Sequence, residues 1–300
     1  MTTARANGIE IEYEAVGASS GRPLLLIQGL GGQLIHWPDE FCDLLAGAGH
    51  VVIRFDNRDA GRSTWLTGRR VDLAAALGAA VGGGPAEVPY TMDDLADDAA
   101  SVLDAAGLES AHIVGASMGG MIAQAFVLRH PARTRSLTSI MSAPELVPPE
   151  PEMVAMLARP APTDRRAFIE QSVADARALA GSAYRFDEAK AREMAARSFD
   201  RGTNPEGTAR QLAAILTAPP RRDALARVLV PTLVIHGDAD RLVPVVGGRM
   251  TADAVPGAEL LVLEGVGHRL PREVWPTVVE AVSGLTERAE VDRAVGAVRP

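Results

Sequence analysis

Lysine is almost missing from this 300-residue chain: Lys190 is the only one, and the rest of the basic charge is arginine. Abundant alanine, glycine and valine go with it, a bias that a GC-rich coding sequence produces with no functional cause. Positive charge is in deficit overall, with 30 Lys and Arg against 38 Asp and Glu and a formal net charge of -8. Nucleic acids and anionic membranes need clustered positive charge, so neither is expected as a partner. The pairs Arg69-Arg70, Arg165-Arg166 and Arg221-Arg222 are short and separated, and are expected on solvated faces. Cysteine is equally scarce. Cys42 stands alone, which excludes an intrachain disulfide and a cysteine-based metal site and fits a reducing compartment. No stretch approaches the roughly 20 apolar residues of a membrane span. Met1 to Gly17 carries Arg5, Glu10, Glu12 and Glu14 and lacks the apolar core of a signal peptide, so a soluble, cytoplasmic protein is expected. Internal repeats and the Walker and dinucleotide glycine patterns are absent too.

What is present is a chain with 47% hydrophobic residues, long enough for one large α/β domain with an insertion. Asn7 to Glu14 alternates apolar with acidic residues, as a half-exposed edge strand does. Leu24-Leu25-Leu26-Ile27, His50 to Phe55, Leu137 to Met141, Val230 to Ile235 and Ala258 to Leu263 are short apolar runs of the buried-strand kind. Helices are expected from Pro38 to about Gly49, from the Thr91 cap with Asp94 to Gly107, and from Pro271 to about Arg288, with a frayed tail to Pro300. Trp65 to Pro89, broken at Gly82-Gly83-Gly84-Pro85, is expected as a surface excursion. Strand signals vanish from Glu145 to about Arg227, where prolines and glycines divide some four short helices. The expected organisation is a core over 1–144, a helical lid over 145–227 and the rest of the core over 228–300. Strands alternating with helices predict a mainly parallel sheet covered on both faces, with reacting groups in loops at the carboxyl ends of strands.

The chain is organised around Val114-Gly115-Ala116-Ser117-Met118-Gly119-Gly120, between the apolar run from Ala111 and a buried helix running to Leu128. A serine on a very tight strand-to-helix turn needs neighbours without side chains, because a Cβ there would meet the strand or the helix. Ser117 then sits at a helix N-terminus, where N–H groups favour negative charge. A serine hydroxyl needs a base, and a base needs a holder. His268 follows a late strand in the small-residue loop Gly265-Val266-Gly267, whereas His50, His112 and His130 occupy ordinary structural positions. For the acid, Asp240 and Asp238 compete at the end of the preceding strand.

The order Ser117, Asp240, His268, the elbow and the H-G-x-x-D of His236 to Asp240 resemble the α/β-hydrolase superfamily, from Leu24 to His268. That pattern selects Asp240 over Asp238. More narrowly, Gln28-Gly29-Leu30-Gly31-Gly32, Trp37-Pro38-Asp39-Glu40-Phe41 and Val52 to Asp59 resemble bacterial carboxylesterases of the aclacinomycin methylesterase type. The resemblance implies an α/β-hydrolase fold with an inserted lid, Ser117 as nucleophile, His268 as base and Asp240 as its partner. It implies an oxyanion hole made by the Met118 and Leu30 N–H groups. Gln28 stands where many relatives carry histidine. Asp59 stands for a glycine of D-x-R-G-x-G-x-S, and Asp56 to Ser63 is expected to be a structural loop. The implied activity is hydrolysis of a small or medium apolar carboxylic ester, which requires no metal or organic cofactor. Thioester, lactone or C–C hydrolysis, perhydrolysis and slow-turnover ligand binding use the same triad, while a serine in place of aspartate argues against dehalogenase and epoxide-hydrolase chemistry.

Overall fold

Asn7-Gly8 makes the first turn. In the computed structural model, which describes residues 2–84 and 86–296, both residues take positive φ, 48° and 81°, as a two-residue hairpin loop requires. They join β1 (Thr2–Ala6) to β2 (Ile9–Val16) antiparallel, with Ala6 opposite Ile9. The edge is therefore a hairpin rather than the single strand expected from the alternation. β3 (Arg22–Ile27), β4 (His50–Phe55), β5 (Ala111–Ala116), β6 (Thr134–Ile140), β7 (Thr232–Gly237) and β8 (Glu259–Leu263) complete an eight-stranded sheet among the described residues. Its order is β1-β2-β4-β3-β5-β6-β7-β8; β2 meets β4 antiparallel and every pair beyond is parallel.

Helices α1 (Asp39–Gly47), α2 (Leu73–Gly82), α3 (Met92–Ala105) and α4 (Met118–Arg129) fill the early crossovers. Between β6 and β7 come α5 (Pro151–Leu157), α6 (Arg165–Ala178), α7 (Glu188–Arg201), α8 (Pro205–Leu216) and α9 (Arg222–Leu225). α10 (Val245–Ala254) precedes β8 and α11 (Trp275–Gly296) closes the chain. Alternate strand residues face opposite ways. Leu25, Ile27 and Ile113 pack with Leu95, Ala99 and Val102 of α3 and Ile122 and Phe126 of α4. Leu24, Leu26 and Val114 pack with Phe41 and Leu45 of α1 and Val278, Val282 and Leu285 of α11. This is the expected layering, helices on both faces of a mainly parallel sheet.

Local chemistry sets several boundaries. Thr91 and Asp94 exchange the bonds of a capping box, at 2.8 Å and 3.3 Å, to start α3. α2 forms inside the expected excursion because Asp72 caps it, accepting from Ala75 N–H at 3.0 Å. α11 outruns its expected end at Arg288: Ala289 is buried, and Glu290 reaches Arg135 at 3.0 Å and His112 at 3.1 Å. The expected frayed tail is thus helical to Gly296, and its residues 297–300 lie outside the described residues, as do Met1 and Pro85 of the glycine-rich breaker. Arg221 departs from the solvated expectation. It is buried, with its guanidinium donating to Gln124 Oε1 at 3.1 Å and the Ala143 carbonyl at 3.2 Å, and burial brings its pKa down to about 10. Among the described residues no helix is long and apolar enough to cross a membrane.

The loop after β4 explains Asp59. This residue adopts a φ of 67°, the conformation a glycine would take without cost. Its carboxylate receives Arg210 Nε at 2.8 Å and Nη2 at 2.7 Å, Tyr90 Oη at 2.9 Å and the Leu66 N–H at 2.8 Å. Both members of the pair are buried, Arg210 at 1% and Asp59 at 2% exposure. Removing one partner of such a pair strands the other's charge, so Arg210→Met is expected to cost about 3 to 5 kcal/mol in urea unfolding. Asp59→Gly combined with Arg210→Met should regain part of that, because glycine removes the orphan charge and the backbone strain while it leaves the Tyr90 hydroxyl and the Leu66 N–H without their acceptor. A double variant no more stable than Arg210→Met would contradict this account.

Candidate active site

Ser117 lies between β5 and α4 with φ 57° and ψ -122°, a conformation that L-residues rarely adopt. The surroundings hold it there. Its N–H donates to the Ile140 carbonyl of β6 at 2.9 Å, and its carbonyl accepts from Gly120 N–H at 2.9 Å. A Cβ on Gly115 would run into the Gly119 carbonyl, and one on Gly119 into the Ile27 carbonyl of β3. The glycines of G-x-S-x-G thus allow strand, turn and helix to touch backbone to backbone. Ser117 occupies the N-cap position, yet its hydroxyl makes no capping bond. The Oγ is left for another partner.

That partner is His268, whose Nε2 lies 2.9 Å from Ser117 Oγ. His268 Nδ1 lies 2.6 Å from Asp240 Oδ2. A carboxylate only accepts, so Nδ1 carries the proton and Nε2 is free to accept from the serine. The other Asp240 oxygen accepts the N–H groups of Leu242 and Val243, each at 2.9 Å. His236 Nε2 donates to the Val243 carbonyl at 2.7 Å and stands 3.5 Å from Asp240 Oδ2. Burial would raise the Asp240 carboxyl, but the electrostatic pull of the His268 ring and the hydrogen bonds from His236, His268 and Val243 N–H outweigh it and hold the pKa at about 2. Asp238 is engaged elsewhere, accepting the Gly265 N–H at 2.6 Å and so bracing the loop that leads to His268. Cys42 is buried in the sheet's other layer, and burial pushes its thiol up to about 11.

The first glycine loop passes close to Ser117: a Cβ on Gly29 would sit 3.0 Å from the serine Cβ. Gln28 Oε1 accepts the Gly29 N–H at 2.8 Å, and Asn57 Nδ2 donates to the Gln28 carbonyl at 2.9 Å. Glutamine therefore braces this loop through its own side chain and carbonyl. The helices between β6 and β7 reach the same loops. The Leu179 carbonyl after α6 accepts the His268 N–H at 2.8 Å, and Gln211 of α8 accepts the Gly31 N–H at 2.8 Å. Gln211 escapes sequence reasoning, since a single glutamine on an amphipathic helix carries no spacing signal. The remaining histidines sit in the scaffold, His36 between the Gln33 N–H and Ser198, His50 between the Leu45 carbonyl and Thr286, His112 against Ser136, and His130 against Asp97.

A half-buried serine, a half-buried histidine and a buried aspartate thus meet on loops at the carboxyl ends of the parallel strands β5, β8 and β7, where an open α/β sheet gathers its reacting groups. The chain belongs to the α/β hydrolase fold family, whose sequence model matches residues 22–270. Among its relatives is rhodomycin D methylesterase DauP of Streptomyces sp. strain C5, 34% identical over 93% of this chain and 95% of that protein. The 2-hydroxymuconate semialdehyde hydrolase of Pseudomonas sp. strain CF600 is 30% identical over 74% of this chain and 82% of its own. In three dimensions the chain is similar to the enol-lactonase of Burkholderia xenovorans LB400, with a TM-score of 0.74 and 25% identity over 94% of this chain and 98% of that one.

Proposed function

We propose that the protein is a serine carboxylic ester hydrolase working through an acyl-enzyme. The observation that carries this is the unbroken line of contact from Asp240 through His268 to Ser117 Oγ. Ser117 attacks the ester carbonyl as His268 takes its proton, and the imidazolium is stabilised by Asp240. The resulting oxyanion is received by the N–H groups of Leu30 and Met118, which donate to no other described residue. Collapse expels the alcohol, which takes the proton from His268. Water then enters, His268 removes a proton from it, and hydrolysis of the acyl-serine releases the acid and restores Ser117.

Residues 145–227 act in this account as the lid over the core segments 1–144 and 228–300. The pair α6 and α7 has its own small core of Ile169, Val173, Ala176, Ala191 and Ala195. The Streptomyces relative is a methylesterase by name, so methyl esters, including that of rhodomycin D, are the first substrates to assay. The test is steady-state hydrolysis of methyl esters beside p-nitrophenyl esters from acetate to palmitate. Turnover of an ester is expected. Turnover of 2-hydroxymuconate semialdehyde with every ester inert would replace ester cleavage by C–C hydrolysis.

A further inference from the structure

Granted the esterase chemistry proposed above, we propose that Gln211 is the positioning residue for the oxyanion hole, gripping the turn that carries the Leu30 N–H. Gln211 lies on α8 and is fully buried. Its Oε1 accepts the Gly31 N–H at 2.8 Å while its Nε2 donates to the Arg58 carbonyl at 2.8 Å. Both ends of the amide are engaged by main chain, which fixes its orientation. The turn is a tight one: Gly32 N–H donates to the Gly29 carbonyl at 3.0 Å, and Gly31 has a φ of 65°. Leu30 and Gly31 are its central residues. The peptide between them is the one whose N–H Gln211 holds, and it is joined through the Leu30 Cα to the peptide that carries the Leu30 N–H, whose Gly29 carbonyl the Gly32 N–H holds in turn. Thr208, one helical turn earlier, closes the near side, since a Cβ on Gly31 would stand 3.1 Å from its Oγ1.

α8 is itself fixed to the loop after β4. Asn204 caps it, accepting the Gly207 N–H at 3.0 Å and donating to the Asp59 carbonyl at 3.2 Å. Arg210 adds its bidentate pair to Asp59. A Cβ on Gly207 would lie 2.5 Å from the Asp59 carbonyl, so helix and loop meet main chain to main chain. Further along the oxyanion loop, Gln33 Nε2 donates to the Ser198 and Gly202 carbonyls, each at 2.9 Å. The Leu30 N–H thus takes its place from a helix that enters the chain some 180 residues later, as well as from β3.

A misplacement of about 1 Å in a catalytic group can cost roughly 10²-fold in rate, and loss of an oxyanion donor about 10²- to 10³-fold. Gln211→Met keeps the length and removes both hydrogen bonds. The probe is an alkyl fluorophosphonate: Ser117 Oγ bonds to phosphorus, its proton passes to His268, the P–F bond breaks and fluoride leaves, with the phosphoryl oxygen seated in the oxyanion hole. Labelling is followed by mass, beside kcat and KM for an ester and the thermal midpoint. Labelling rate and kcat are expected to fall together by about 10- to 100-fold, with KM little changed. Gln211→Glu supplies the same acceptor and a donor while its carboxyl is neutral. It should label near the wild-type rate at low pH and lose rate as it ionises, a limb wild type lacks. The charged side chains of the segments it joins, Arg58 with Asp98 and Arg210 with Asp59, are already paired. Wild-type labelling by Gln211→Met, or a raised KM with kcat intact, would overturn the proposal. Should Gln211→Met fail to fold, a wild-type pH profile for Gln211→Glu would do the same. A wild type that labels at Ser117 yet cleaves no ester would sink the esterase account alone, and the labelling comparison would still decide the role of Gln211.

Discussion

Ser117→Ala is expected to lower ester turnover by about 10⁴- to 10⁶-fold, with KM and folding nearly unchanged. The size follows from what the hydroxyl does: without Oγ no acyl-enzyme forms, and the oxyanion donors and binding site retain only a residual advantage over water. The substitution is structurally mild, because the hydroxyl makes no capping bond and its hydrogen-bond partner among the described residues is His268. Alanine keeps the Cβ and the φ of 57° remains as strained as before. Steady-state kinetics on the best ester, with circular dichroism as the folding control, checks it. Residual activity within a hundredfold of wild type would show that another group carries the reaction.

Asp240→Asn is expected to cost roughly 10⁴-fold in kcat, and Asp238→Asn no more than about 0.5 kcal/mol, a twofold change. The asymmetry is a matter of tautomers. An asparagine at 240 offers an N–H₂ to His268 Nδ1, which then accepts, leaving the proton on Nε2 where it cannot take one from Ser117. At 238 the amide oxygen still accepts the Gly265 N–H, so the histidine loop stays braced. Because the Asp240 carboxyl is held at about 2, below its usual 3.8, its charge stabilises the fold above about pH 4, and that contribution is lost as pH falls through about 2. The urea midpoints of wild type and Asp240→Asn should therefore converge on acidification. A larger kcat loss at 238 than at 240 would reverse the assignment.

Much of this geometry was legible because it rests on backbone constraints that leave a spacing in the sequence. Gly115 and Gly119 announce the elbow since a side chain at either would collide with main chain. The alternation of Leu24 and Leu26 against Leu25 and Ile27 announces a strand buried on both faces. The β1 strand and the end of α11 were not read from their own patterns: one depended on the Asn7-Gly8 turn, the other on contacts of Ala289 and Glu290 with distant strands. Least legible were the long-range polar contacts. Arg210 and Arg221 look like surface arginines until Asp59 and Gln124 meet them, and Gln211 gives no local sign that it reaches Gly31 across the fold. Pairs of this kind are set by tertiary structure, which the periodicity of a single helix does not encode.

The central claim is a covalent acyl group on Ser117. Rapid-quench kinetics with a p-nitrophenyl ester, followed by peptide mapping, tests it most directly. The account predicts a burst of p-nitrophenol of about one equivalent per active site where deacylation is slow, and the acyl mass on the peptide containing Ser117. Ester turnover with no adduct on that peptide, or with the acyl group on a different residue, would contradict it.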